Sequence, residues 1–164
     1  MGWSGRGGST NAAYPTPSTP YVRAIMRANR SRDTGPELRL RHVLHSAGLR
    51  YRVNYTIRTD GKRPITVDVA FTRVHLAVFV DGCFWHSCPE HGTTPAANAT
   101  YWSPKLARNV ERDREASATL ELAGWTVARF WEHDEPTRAA RRIVDLIGHL
   151  SCDVRVGIST QSGN

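Results

Sequence analysis

The sequence predicts an α/β domain, a mixed β-sheet flanked by helices. Three observations carry that expectation. Short apolar runs rich in Val, Phe and Ile, at 65–71, 74–80 and 125–131, read as strands. Longer stretches with apolar residues three and four apart read as helices. The two kinds follow one another as helix, strand, strand, strand, helix, strand, helix, which is the layered pattern of an α/β domain.

Taken in order, residues 1–18 are rich in Gly, Ser, Pro and Thr and are expected to form a disordered tail. The domain is expected over residues 19–150, opening with a short helix over 21–30. The next helix is well punctuated. Thr34 is its N-cap, Pro36 fits the first turn, and Glu37 completes a T-x-x-E capping box. Leu38, Leu40, Val43, Leu44 and Ala47 are its expected buried face, and Gly48 its stop. Residues 51–55 alternate like a strand. The runs 65–71 and 74–80 are separated only by Thr72 and Arg73, which predicts a hairpin. After a loop over 92–102, a long helix starts with Ser103 as N-cap and Pro104 in the first turn, and stops at Gly124. The strand 125–131 and a helix from about Pro136 complete the domain, and residues 151–164 read as a weakly ordered tail.

The charge points to a polyanionic partner. Lys and Arg number 22 against 15 acidic residues, a net charge of +7 with a pI near 9.9. Nucleic acid is the first expectation. No run approaches the roughly 18 apolar residues of a membrane helix. The first residues lack the apolar core of a signal peptide, so a cytoplasmic protein is expected. In that compartment three cysteines read as metal ligands or free thiols rather than disulfides.

The segment "DGCFWHSCPEH" at 81–91 concentrates the chemistry. Cys83, Cys88 and His91 offer three soft or imidazole donors, and His133 at the end of the last strand is the best fourth. Two thiolates and two imidazoles form a structural zinc set. Without a metal, the same residues would be buried thiols and surface histidines. Asp68 is an acid inside an apolar strand, where a carboxylate needs a partner or a cation, and it is a plausible Mg2+ ligand. Asp81 ends the paired strand and can approach it, though it equally fits the start of a D-G turn. Two acids at a divalent ion with a base nearby are the apparatus of phosphodiester hydrolysis. His86 is left over from the zinc set and can be that base. Glu37 is explained by capping alone, or it could reach across to orient His86. Phe84 and Trp85 could wedge between bases, with Tyr101 and Trp102 joining them, or simply pack in the core. Trp125 and Trp131 read as core residues. His42, His45, His75, His149 and Cys152 carry no functional signal.

The stretches "MRANRSRDTGPELRLRHVLHSAGLRYR", "VDVAF", "AVFVDGCFWHSCPEHGT", "YWSPKLARNVERDRE" and "LAGWTVARFWEH" together resemble the very short patch repair (Vsr) DNA mismatch endonucleases, from about Tyr21 to Leu150. The resemblance implies a restriction-endonuclease-like core. It implies an enzyme that nicks one strand of double-stranded DNA 5′ to the thymine of a T:G mismatch, the product of 5-methylcytosine deamination. It implies catalytic Mg2+, a structural Zn2+, a bacterial, nucleoid-associated monomer, and possible contacts with other repair proteins. Asp68 falls on the family's metal-binding aspartate, and Val80 on the position that offers its backbone carbonyl. His86 falls on the histidine that activates water, and Glu37 on the glutamate that supports it. Phe84, Trp85 and Trp102 fall on intercalating aromatics, and Asn109 and Asp113 on polar positions near the active site. The zinc ligands carry over as Cys83, Cys88, His91 and His133.

There are departures. Some relatives have His where this chain has Asp81, which would turn that position toward holding metal. Some have Cys where it has His133, which preserves a zinc donor. The loop differs in length around Cys88 and His91. Where restriction enzymes place a Lys two residues after the second acid, this chain has Cys83, so a different base must serve, consistent with His86.

Overall fold

A computed structural model of the chain describes residues 32–60, 63–91 and 99–159. The expected tail over 1–18, the helix over 21–30 and the first part of the 92–102 loop lie outside those residues. The expected order of elements is what forms. Helix α1 (Gly35–Ser46) is followed by β1 (Arg52–Ile57), β2 (Ile65–Phe71), β3 (Leu76–Asp81), α2 (Ala99–Leu122), β4 (Thr126–Trp131) and α3 (Pro136–Ser159). The four strands make one mixed sheet in the order β1-β2-β3-β4. Strands β1, β2 and β3 are antiparallel in turn, and β4 runs parallel to β3. The connection from β3 to β4 passes through α2, as a parallel pair requires.

Each face of the sheet has its own core. On one face Val69, Phe71, Leu76, Val78, Ala128 and Phe130 pack against Leu40 and Leu44 of α1 and Ala139, Ala140 and Ile143 of α3. On the other, Val67, Ala70 and Ala77 pack with Leu120 of α2. Val69 and Phe71 share a face by strand alternation, yet Val67 lies on the opposite one. The alternation slips at Asp68. The register on either side pairs Val53 with Val69 and Tyr55 with Val67, which places Asn54 across from Asp68. Asn54 has φ 47°, a left-handed conformation that asparagine tolerates. The sheet is therefore distorted at its one acidic mid-strand residue.

Several boundaries differ from expectation for physical reasons. Leu38 is 52% exposed and Ala47 is exposed, while Glu37 and Arg41 are buried beside Leu40 and Leu44. An internal ion pair has displaced a leucine from the inner face of α1. Strand β1 is set one to two residues later, over 52–57. The β2–β3 turn takes four residues, 72–75, rather than two, with His75 at φ 49°. Helix α2 begins at Ala99, so Trp102 lies on the helix and Pro104 inside it. Proline costs least near a helix start, where few backbone bonds are forfeited. The glycine stops hold, with Gly48 at φ 75° and Gly124 at φ 79°. Helix α3 runs on to Ser159, into the segment read as a weakly ordered tail. Among the described residues no helix is long and apolar enough to cross a membrane.

Candidate functional site

The parallel pair β3–β4 builds the site. Asp81 and Trp131 share the last rung of the ladder, and the chain leaves both strands at the same end of the sheet. From β3 comes the loop 82–91, and from β4 the turn holding Glu132 and His133.

Cys83, Cys88, His91 and His133, the four residues expected to hold an ion, converge here. Their donor atoms all lie within 4.8 Å of one another. The His133 Nδ1 atom is 3.0 Å from Cys83 Sγ, 3.9 Å from Cys88 Sγ and 3.2 Å from His91 Nδ1. Bonds of about 2.0–2.3 Å put tetrahedral nitrogen and sulfur donors roughly 3.3–3.8 Å apart, so the set fits one tetrahedral ion. Burial, and then the facing Cys88, push the Cys83 thiol up to about 12. Two side chains outside the set steady it. Glu132 Oε1 accepts the Cys83 backbone N–H at 2.8 Å, and Glu90 lies 3.6 Å from His133 Nε2. A carboxylate behind a ligating imidazole fixes its tautomer and orientation.

His86 follows in the same loop. Its Nδ1 lies 2.5 Å from Asp113 Oδ2 of α2 and 3.7 Å from Asp81 Oδ1. Burial would raise the Asp113 carboxyl, but the His86 bond and the nearby Arg129 outweigh it and hold it below the usual range. Asn109, one turn earlier on α2, donates to the Trp85 carbonyl at 3.2 Å. Both polar residues of α2 that the resemblance singled out thus fasten the loop.

Asp68 sits beneath this end of the sheet. Its Oδ2 accepts the Val80 backbone N–H at 2.8 Å. Burial, together with the charges of Glu37 and Asp81, pushes its carboxyl up to about 6 despite the Val80 bond. Such a carboxylate is short of positive charge and suited to a cation.

Two expected relationships take a different form. Glu37 is only 4% exposed, and its carboxylate accepts from Asp33 N, Thr34 Oγ1 and Arg41 Nη2 at 3.0, 2.9 and 2.8 Å. It completes the capping box in altered form, with the Thr34 side chain donating to it rather than capping the helix. The His86 imidazole is instead paired with Asp113. Asp81, read as a possible metal ligand, has both oxygens engaged by Arg129, at 2.7 Å each. Sequence reasoning passed over Arg129 and Arg41. Their signal was a cation at an inward position of an otherwise apolar pattern, in "TVARFW" and on the Leu40–Leu44 face.

The aromatics Phe84, Trp85 and Trp102 form a mutual edge-to-face cluster with centroids 5.0–5.8 Å apart. Trp102 is 6% exposed, while Phe84 and Trp85 are half-buried. Lys105 Nζ lies 5.5 Å from the Trp102 ring centroid and 5.8 Å from that of Trp85. A cavity of about 410 Å³ opens beside the cluster of charges, lined by Asp81, His86, Asp113, Ser117, Arg129 and Trp131 among others.

Comparison with known proteins gives a consistent set of relatives. A family model described as DNA mismatch endonuclease Vsr matches residues 18–90. The type II nicking enzyme V.NaeI of Lentzea aerocolonigenes is 46% identical over 140 residues, covering 85% of this chain and 84% of that protein. The type II nicking enzyme V.XorIIP of Xanthomonas oryzae pv. oryzae is 41% identical over 112 residues, covering 67% and 78%. The DNA mismatch endonuclease Vsr of Escherichia coli K12 is 36% identical over 111 residues, covering 65% and 66%.

Proposed function

The chain belongs to the Vsr family of DNA mismatch endonucleases and is a DNA endonuclease, and from that premise we propose that it nicks one strand of a duplex 5′ to the thymine of a T:G mismatch. The core is of the restriction-endonuclease type, and the products feed repair of deaminated 5-methylcytosine. The observation that carries the reading is the His86–Asp113 pair beside Asp81 at the end of β3, the strand whose Val80 N–H binds the Asp68 carboxylate. Relatives named as nicking enzymes support a single-strand cut. One chemical centre makes one nick, so the active unit is a monomer.

Asp68, with the Val80 carbonyl, is the Mg2+ position. Hard oxygen donors, one protein carboxylate and the substrate phosphate suit that ion. When bound, Mg2+ supplies charge to the scissile phosphate and its leaving oxygen. Asp113 takes the Nδ1 side of His86, which leaves Nε2 to accept a proton from the attacking water. Phe84, Trp85 and Trp102 present a rigid aromatic block that separates the mismatched pair from its neighbour. The Cys83, Cys88, His91 and His133 set is a structural zinc site, since a Cys2His2 tetrahedron is a zinc preference. An ion held by these four residues would stiffen the loop that carries both His86 and the aromatics.

The test is nicking of a panel of T:G, fully paired and other mismatched duplexes with varied flanks, with and without Mg2+. A single cut confined to T:G duplexes and dependent on Mg2+ is expected. Cleavage of both strands of paired DNA would make the protein a restriction-type nuclease instead.

A further inference from the structure

Arg129 lies in β4 across from Phe79, on the face covered by α2. Its guanidinium rests 4.5 Å from the centroid of the Phe79 ring and forks onto Asp81, Nε to Oδ2 and Nη2 to Oδ1. Nη2 is also 3.6 Å from Asp113 Oδ1, and Nη1 donates to Ser117 Oγ at 3.3 Å. The Nδ1 of His86 faces both carboxylates, Asp113 at 2.5 Å and Asp81 at 3.7 Å. One cation therefore stands between two acids that face one imidazole nitrogen.

Remove that cation, and the acids compete for a single Nδ1–H. Asp81 is then free to turn toward His86 or toward the charge-poor end of Asp68, and both acids repel an incoming phosphodiester. With the fork in place, Asp81 is fully engaged and Asp113 alone holds the imidazole. A planar bidentate guanidinium fixes a carboxylate in a way an ammonium does not.

We infer that Arg129 is a positioning residue of the nicking reaction: by occupying both oxygens of Asp81 it assigns His86 to Asp113 and keeps Asp81 away from the metal position at Asp68. This rests on the reading of His86 as the water-activating group.

The test is a double-mutant cycle on the full chain with a T:G duplex and Mg2+. Arg129→Met should lower kcat by about 100-fold, the size of effect a small misplacement of a reacting group produces, with KM changed much less. Adding Asp81→Asn to that variant should restore most of the rate, because the competing carboxylate is gone. Arg129→Lys should fall between. A merely structural Arg129 would make the double variant no better than the single one. A second readout needs neither DNA nor Mg2+. At one fixed pH, the downfield proton resonance of His86 Nδ1–H should be present in the wild type and in the double variant, and lost in Arg129→Met and Asp113→Asn. Wild-type nicking by Arg129→Met, or a double variant as slow as the single, overturns the inference. Failure of the wild type to nick any T:G duplex sinks the functional reading instead, and the resonance still tests the His86–Asp113 assignment.

Discussion

The Asp68 carboxylate accepts the Val80 backbone N–H at 2.8 Å. The β2–β3 ladder pairs Phe71 with Leu76, Ala70 with Ala77 and Val69 with Val78, and Asp68 and Val80 follow just beyond that last pair. The side chain of Asp68 therefore binds a backbone group of the neighbouring strand just where the sheet alternation slips. The carboxylate is built into the sheet rather than hung from it, and it has little freedom to move when a metal or phosphate arrives.

That placement makes metal-free stability depend on pH. The folded pKa of Asp68, about 6, lies above its ordinary 3.8. The protonated form is thus favoured by folding. Its stabilisation is full below pH 3.8 and is lost as pH rises through 6. The difference corresponds to about 3 kcal/mol. Asp68→Asn keeps an acceptor for Val80 and removes the charge. In chelator-treated protein it should unfold at a higher temperature than wild type at pH 8, with the gap closing near pH 4. The same variant should still bind DNA and lose cleavage. Identical melting curves across this range, or wild-type nicking, would reject the placement.

His86 depends on Asp113. Asp113→Asn leaves the shape intact and removes the charge behind the imidazole, and kcat should fall by roughly 10² to 10⁴. Glu37→Gln acts elsewhere. It breaks a buried ion pair with Arg41, which costs about 3–5 kcal/mol. Its signature should be a lower melting temperature, and rates per folded molecule should hold better than in Asp113→Asn. Urea titrations paired with single-turnover rates separate the two variants. A Glu37→Gln protein as stable as wild type would contradict the burial of this pair.

Metal analysis should give one zinc per chain. Cys83→Ser should lose it and melt earlier, and His133→Cys should retain it. Glu90→Gln should weaken zinc by about 10-fold in competition with a chelator, the lower end of such effects for an exposed partner. Unchanged zinc content in Cys83→Ser protein would exclude the four-ligand set.

The aromatic block divides by burial. Trp102→Ala removes a buried ring and should cost about 3–5 kcal/mol of stability. Trp85→Ala should cost less, yet abolish the change in base stacking that a fluorescent base analogue beside the mismatch reports. Equal stability losses with no change in that signal would return both rings to the core.

The element order and the three loop donors of the metal set, Cys83, Cys88 and His91, were legible because they rest on short-range signals, and His133 was found at a distance only because an imidazole at a strand end completes their set. Apolar period, capping residues, glycine stops and donor spacing are all local in the chain. What escaped detection was long-range. Arg129 reaches Asp81 over a separation of 48 residues, and nothing near Arg129 marks it except its cation among apolar neighbours. Glu37 and Arg41 were harder to place because helical pattern rules assign charge to the outside, whereas a paired charge can be buried. Leu38 was displaced outward for the same reason. Asp113 entered only by resemblance, since an acid on a charged helix carries no signal of its own until the fold sets it against His86.

The shared rung of Asp81 and Trp131 has a further consequence. Two residues beyond it, where the chain has left each strand, stand Cys83 and His133. The chemical centre and the metal knot are therefore tied to one pair of strands at one fixed offset. Side chains along β3 and β4 can be exchanged while that offset survives. An inserted or deleted residue in either strand shifts both centres together and turns their side chains to the wrong face. Variation in this protein should therefore run through its letters and its outer loops, while the spacing of these two strands behaves as a ruler.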